Sequence, residues 1–346
     1  MKVLKQNGGE KILSNELRWN PLLGTWIIVS SKRKIRPWRS EECPFCPGAS
    51  ETGYNWQTIV LDNLYPTLRI DPKTSRESFD IYKVKPGYGY CKVVIETPEH
   101  IGDLDSIQFE NLISYIKDLK EEIIKICNDE KIRYVACFRN KGEIIGVSLT
   151  HPHSQIYALP FIPPRIKIEL KNAKKFYKEK NECLFCHIIK IEKKEFDRLL
   201  YSNKSFISFL PFFAMWPYEV HIYSKKHINS IIELNEEEIE DLADIIKVTI
   251  AMYNSLFDFS LPYIMFIHNS PCRKNYPYYH FHIEFYPIHR SKDKLKYAAG
   301  IEWGAWIFTY DDIPENKAKE LKEALNKALK KLENERYKAK GNIYTK

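Results

Sequence analysis

A chain of 346 residues is too long for one small core and suits two domains of about 150 residues each. Hydrophobic residues make up 44% and charged residues 28%, which excludes a mainly disordered chain, and no run of about 18 apolar residues offers a membrane span. The net charge of +8 is spread along the chain and gathers toward its C-terminal end, so it reads as a solvated surface and not as a nucleic-acid face.

Residues 1–9 lack the apolar centre of a signal peptide, so the expected location is the cytoplasm. Strand-like runs follow at 25–29 and 58–61, and a third at 92–96 leads into Thr97-Pro98-Glu99-His100. From Ser106 onward, Ile107, Leu112, Ile113, Ile116, Leu119, Ile123 and Ile124 recur at helical spacing on one face. A strand at 134–138 precedes Thr150-His151-Pro152-His153-Ser154-Gln155, where strand alternation puts His151, His153 and Gln155 on one side. A lysine-rich stretch at 167–180 joins this half to a similar series. There a strand at 219–223 leads to Lys225-Lys226-His227, and Asn235 with Glu238 forms a capping box that opens a helix running to about Phe257. A strand at 263–267 and the pair His280-Phe281-His282 come next, and a charged amphipathic helix opens at Pro314.

The two series share landmarks in one order. Cys43-Pro44-Phe45-Cys46 recurs as Cys183-Leu184-Phe185-Cys186 after a shift of 140 residues, and the His-x-His pair recurs after 129. An internal duplication accounts for this better than chance.

Zinc takes four tetrahedral thiolate or imidazole ligands, and a Cys-x-x-Cys turn presents two sulfurs to one ion. Cys43, Cys46, His100 and His151 make one Cys2His2 set; Cys183, Cys186, His227 and His280 make the other. Each set ties a turn to a distant strand, which is a structural role. His221 competes with His227, which is preferred because it sits just past its strand as His100 does. Eight cysteines in a cytoplasmic chain are expected to be thiols or metal ligands, with Cys91, Cys127 and Cys137 in apolar runs as core residues and Cys272 unassigned.

Over almost its whole length the chain resembles the galactose-1-phosphate uridylyltransferases of the histidine triad superfamily. The resemblance rests on Arg18-Trp19-Asn20-Pro21, Arg33-Lys34-Ile35-Arg36-Pro37-Trp38, Cys43-Pro44-Phe45-Cys46-Pro47-Gly48, Asn63-Leu64-Tyr65-Pro66, Asn140-Lys141-Gly142 and the His-Pro-His-Ser-Gln signature. In the second half it rests on Trp216-Pro217-Tyr218-Glu219, His268 and the run from Ala299 to Ala305. The implied fold is α+β, a tandem pair of histidine-triad domains, each an antiparallel sheet with packed helices. The expected division is 1–170, with the His-Pro-His motif and first zinc site, and 171–346, with the second metal site and the sugar-phosphate loop.

The resemblance implies a ping-pong exchange of UMP between UDP-glucose or UDP-galactose and hexose 1-phosphates, through a uridylyl group on His153. Neutral imidazole has a pKa near 6.5 and attacks phosphorus without a separate base. Gln155 is implied as a neutral donor to the phosphate oxygens. Arg36, Asn63, Asn140, Gly146 and Ser148 match nucleotide-binding positions, and Lys296 and Glu302 match sugar-phosphate contacts. A homodimer is implied, with no nucleic-acid or membrane partner.

Two departures matter. Some members bind iron through a glutamate and three histidines; the matching residues here are Glu169, His268, His282 and Glu284, so the complete Cys2His2 set nearby favours zinc in the second half, with iron as the alternative. Ile301 and Phe308 depart from the family in the acceptor loop, which leaves the sugar open. A sister branch acting on ADP-glucose with phosphate, and a zinc-clamped nucleotide-binding protein without catalysis, are the competing readings.

Overall fold

The structure is a computed structural model that describes residues 14–31, 42–335 and 337–344. In the first half the strands are β1 (Asn15–Asn20), β2 (Thr25–Ser30), β3 (Ile59–Asp62), β4 (Val84–Pro86) and β5 (Tyr90–Ile95). Helix α1 (Phe109–Cys127) then leads to β6 (Tyr134–Lys141) and β7 (His153–Leu159). Helices α2 (Pro164–Lys180) and α3 (Leu184–Glu195) bridge to β8 (Leu199–Ser202), β9 (Phe206–Phe209) and β10 (Val220–Ser224). Helix α4 (Glu236–Asn254), β11 (Tyr263–His268), β12 (His282–Pro287), β13 (His289–Ser291), β14 (Lys294–Leu295), α5 (Gly300–Ala305), α6 (Pro314–Asn334) and β15 (Asn342–Ile343) complete the chain.

Ten strands form one antiparallel sheet in the order β15, β8, β9, β10, β12, β11, β6, β7, β5, β3. The two halves are therefore continuous across the β6–β11 seam, where Phe138 faces Phe266 and their rings stack at 6.4 Å. The ladders on either side of this pair match. Gln155 lies opposite Phe138 and Glu284 opposite Phe266; His153 lies opposite Ile95 and His282 opposite Tyr223. An approximate two-fold axis thus passes through the phenylalanine pair and exchanges His153 with His282, Gln155 with Glu284, and Asn140 with His268. Along the seam the repeat shift is 128 residues, from Phe138 to Phe266, one fewer than between the histidine pairs.

The helical periodicity read from residue 106 onward produces α1, which buries Leu112, Tyr115, Ile116, Leu119, Ile123 and Ile126. That stripe packs with Val94, Cys137 and Ile156 of the sheet. The capping box is present: Asn235 Oδ1 accepts from the Glu238 N–H and Glu238 Oε2 from the Asn235 N–H, each at 2.9 Å. Helix α4 packs between α1 and α6, so it is buried on nearly every side. The opposite face of the sheet is covered in the second half by α2 and α3, through Ile166, Leu170, Ala173, Phe185 and Ile189. The lysine-rich stretch at 167–180 is accordingly most of a docked helix, with Pro164 in its first turn.

One expectation is overturned. Cys127 and Cys272, read as a core thiol and an unassigned cysteine, form a disulfide across 145 residues. The end of α1 and the loop after β11 bring their Cα atoms to 5.4 Å, inside the span a disulfide bridges. Cys91 and Cys137 are buried thiols, and burial pushes the Cys137 thiol up to about 12. Among the described residues no helix is long and apolar enough to cross a membrane.

Candidate active site and metal centres

Strand alternation on β7 points Ser154 and Ile156 toward α1 and leaves His153 and Gln155 on the other face, half-buried. His153 Nδ1 lies 2.8 Å from the His151 carbonyl oxygen. A carbonyl only accepts, so Nδ1 carries the proton and the lone pair is on Nε2. Phe45 lies 5.3 Å from the His153 ring. A cavity of about 240 Å³ opens beside it, lined by Ile101, Gly102, Asn140, Gly142, Val147 and His153 among others.

The remaining predicted residues are distributed unevenly. Asn63 sits on the outer rim, its Oδ1 accepting from the Tyr65 N–H. Gly146 ends a short 3-10 turn at φ +86°, a backbone that favours glycine, and Ser148 lies two residues on, between the cavity-lining Val147 and Leu149. Of the predicted substrate residues that are described, only Asn140 lines this cavity with His153; Gln155, Asn63, Gly146, Ser148, Lys296 and Glu302 do not. The Lys296 ammonium donates to the carbonyls of Met215 and Thr309, and Glu302 accepts from the Ala299 N–H and Thr309 hydroxyl at 3.0 Å each, which holds α5 together. Arg36 lies outside the described residues.

Both Cys2His2 sets converge. Cys46 Sγ lies 3.3 Å from His100 Nδ1 and 3.8 Å from His151 Nδ1, with Cys43 Sγ at 3.6 Å from His151. Cys186 Sγ lies 3.5 Å from His227 Nδ1 and 3.6 Å from His280 Nδ1, with Cys183 Sγ at 4.0 Å from His280. Zn–S bonds of about 2.3 Å and Zn–N bonds of about 2.0 Å give tetrahedral S···N edges of about 3.5 Å, so both sets have the size zinc requires. In each, the deeper histidine donates Nε2–H to a backbone carbonyl at 2.8 Å, Thr97 for His151 and Ser224 for His280, which turns Nδ1 toward the sulfurs. Burial lowers the His151 pKa and keeps that ligand neutral. His221 stays out of the set and faces Glu219 at 2.8 Å.

A third group, Glu169, His268, His282 and Glu284, occupies the two-fold mate of the His153 face and is nearly closed to solvent. His268 directs Nδ1 to Glu169 and Nε2 to Glu284, each at 3.3 Å, and His282 Nε2 lies 3.4 Å from Glu284. Arg165 of α2 donates to Glu284, to Glu169 at 2.9 Å and to the Tyr286 hydroxyl at 2.6 Å. Burial opposes charge on His268, but the Glu284 and Glu169 carboxylates outweigh it and lift the imidazole to about 9. Burial and then the His268 charge push His282 down to about 4. Arg165 was missed in the sequence, where its spacing of four residues to Glu169 at the start of a helix was the available signal.

The models of the galactose-1-phosphate uridyl transferase family match residues 6–163 (N-terminal domain) and 169–341 (C-terminal domain). The chain belongs to the galactose-1-phosphate uridylyltransferase family. A galactose-1-phosphate uridylyltransferase from Thermotoga maritima is 35% identical over 314 residues, covering 89% of this chain and 98% of that one. A solved uridylyltransferase structure superposes with a TM-score of 0.85 at 41% identity, covering 91% of this chain and 99% of the other. An ADP-glucose phosphorylase from Arabidopsis thaliana, solved with ADP-glucose bound, is more distant at a TM-score of 0.70 and 28% identity, over 90% and 99% of the two chains. The expected class is correct: an α+β member of this family with uridylyltransferase activity in galactose metabolism.

Proposed function

We propose that His153 carries the uridylyl group in a two-step exchange between UDP-glucose and galactose 1-phosphate. In the first step Nε2 bonds to the α-phosphorus, the bond from that phosphorus to the bridging oxygen breaks, and glucose 1-phosphate leaves with the electron pair. In the second, a phosphate oxygen of galactose 1-phosphate attacks the same phosphorus, the N–P bond breaks, and UDP-galactose leaves the imidazole neutral. The observation that carries this reading is the Nδ1–H held by the His151 carbonyl, since it sets the tautomer with the lone pair on Nε2 and stabilises the cation of the intermediate. Gln155, two residues along the same face, is the donor to the equatorial oxygens. Asn63, Asn140, Gly146 and Ser148 serve the nucleotide, and Arg36 is assigned with them by family position.

Lys296 and Glu302 are assigned to the acceptor sugar phosphate. The exposed Tyr297, Ile301, Trp303 and Trp306 on their loop support a homodimer in which that loop serves a second copy. The two Cys2His2 sets are assigned to structural zinc, and the protein to the cytoplasm. In the third group one imidazole addresses two carboxylates through different nitrogens and Arg165 neutralises both, so a proton and a guanidinium supply the charge that iron supplies in some relatives. The ADP-glucose phosphorylase relative gives the second reading, adenylyl transfer to phosphate.

A matrix of donors (UDP-glucose, ADP-glucose) against acceptors (galactose 1-phosphate, phosphate) separates these. The expected product is UDP-galactose from the first pair alone. ADP formed from ADP-glucose and phosphate, with no uridylyl exchange, would move the assignment to the phosphorylase.

A further inference from the structure

Asn140, His153 and Gln155 on one face of the sheet alternate with residues whose side chains meet on the other, and the latter form a buried ionic string. Arg139 and Lys141 flank Asn140; Ser154 lies between His153 and Gln155. Ser154 donates to Glu96 Oε1 at 2.5 Å and accepts from the Tyr115 hydroxyl at 2.8 Å. Glu96 receives Arg139 Nε through both oxygens, at 2.9 and 3.0 Å. Arg139 continues to Asp103 at 3.0 Å, and Asp103 receives Lys141 at 3.0 Å. Glu96 is 0% and Arg139 2% exposed, so the centre of the string is desolvated, while Lys141 at its end is partly exposed.

Such an arrangement is a poor way to stabilise a fold. Desolvating a guanidinium and a carboxylate costs about as much as their attraction returns, and apolar residues of similar volume often do as well or better. The second half supplies the comparison within the same molecule: the two-fold mates of Arg139 and Ser154 are Ile267 and Ile283, and Ser224 stands at the place of Glu96. The ladder closes equally well there, with both isoleucines buried. The half that keeps the string is the half with His153.

We propose that Glu96, Arg139 and Ser154 are positioning residues, which fix β5, β6 and β7 from behind so that Asn140, His153 and Gln155 hold their places on the open face. This rests on His153 being the nucleophile. Ser154 links the nucleophile strand to Glu96, and Arg139 links Glu96 to the strand that carries Asn140. Freedom of about 1 Å at a phosphoryl-transfer site costs about 100-fold in rate, more than the fold itself has at stake here.

The test gives the catalytic half the second half's pattern: Glu96→Ser, Arg139→Ile and Ser154→Ile, with Tyr115→Phe so that no hydroxyl is left without a partner. Asp103 keeps Lys141. The expected protein is folded, with kcat for uridylyl transfer lowered ~100-fold and KM for UDP-glucose changed by less than ~3-fold. Should that protein fail to fold, Ser154→Ala alone is expected to lose ~10-fold in kcat, and Ser154→Thr to restore most of it. A second readout is independent of activity. Ring-nitrogen NMR of His153 is expected to show a single Nδ1–H tautomer in the parent and an averaged pair in the variants. Folded variants with parental kcat and a single tautomer would overturn the positioning role. A parent without transferase activity would instead overturn the functional reading, and the tautomer comparison would still decide the positioning role.

Discussion

At the scale of single residues, His153 and His282 show how surroundings decide chemistry. Both direct Nδ1 at the carbonyl two residues back, at 2.8 Å, and both lie against the phenylalanine of a Cys-x-x-Cys turn. His153 faces a cavity with a neutral glutamine two residues on. His282 is buried under α2 beside a carboxylate and a cationic imidazole. The His268 charge that lowers the His282 pKa has a pH signature. Its pKa is raised from 6.5 to about 9, so the stability it contributes is complete below about pH 6.5 and is lost as pH rises through about 9. That contribution amounts to about 3 kcal/mol. His268→Gln is therefore expected to lower the unfolding temperature well at pH ~6 and hardly at pH ~10. Thermal melts across that range check this, and a deficit independent of pH would contradict it.

At the scale of elements, the zinc assignment makes the two Cys-x-x-Cys turns clamps. The first ties the turn at Cys43 to the start of β7 and the loop after β5; the second ties the start of α3 to β10 and the approach to β12. Each clamp fixes the strand that begins two residues after its deeper histidine, so it also sets where that strand enters the sheet. Metal analysis is expected to give two zinc per chain. Cys186→Ser is expected to give one zinc, a lowered unfolding temperature and retained transferase activity, because the second clamp lies away from His153. Iron in the purified chain, or a third bound ion, would contradict the assignment of charge in the Glu169 group to Arg165 and a proton. These sets were legible in the sequence because cysteine and histidine are sparse and their spacing repeats. Arg165, Glu96 and Arg139 were not, since single charged residues carry no periodic signature and their partners lie at distant positions in the chain.

At the scale of the whole molecule, two matching halves share one sheet, and the proposed mechanism gives them one working site. The order of elements was readable from periodicity: the strands at 92–96, 134–138 and 263–267 and the capped helix after Asn235 all form near their expected places. The β6–β11 seam was not readable, because pairing between distant strands is decided by packing and leaves no local pattern. The shift of 128 along that seam against 129 between the histidine pairs hid the correspondence of Asn140 with His268. The Cys127–Cys272 link was hidden for a similar reason, as neither cysteine belongs to a motif and their meeting depends on how the end of α1 docks on the second half. Of the small sheet of β2, β1 and β4, only β2 was read, at 25–29; its pairing with β1 and the three-residue β4 joins distant positions and leaves no local pattern.

The broken two-fold symmetry also sets a stoichiometry. Of the two matched histidines, His153 lines a cavity and has neutral Gln155 two residues on, whereas His282 is buried beside the Glu284 carboxylate. Incubation with UDP-glucose alone, followed by intact-mass measurement and peptide mapping, tests this most directly. The account predicts one acid-labile UMP per chain, on His153, and none in His153→Gly; label on His282, two labels per chain, or undiminished exchange by His153→Gly would contradict it.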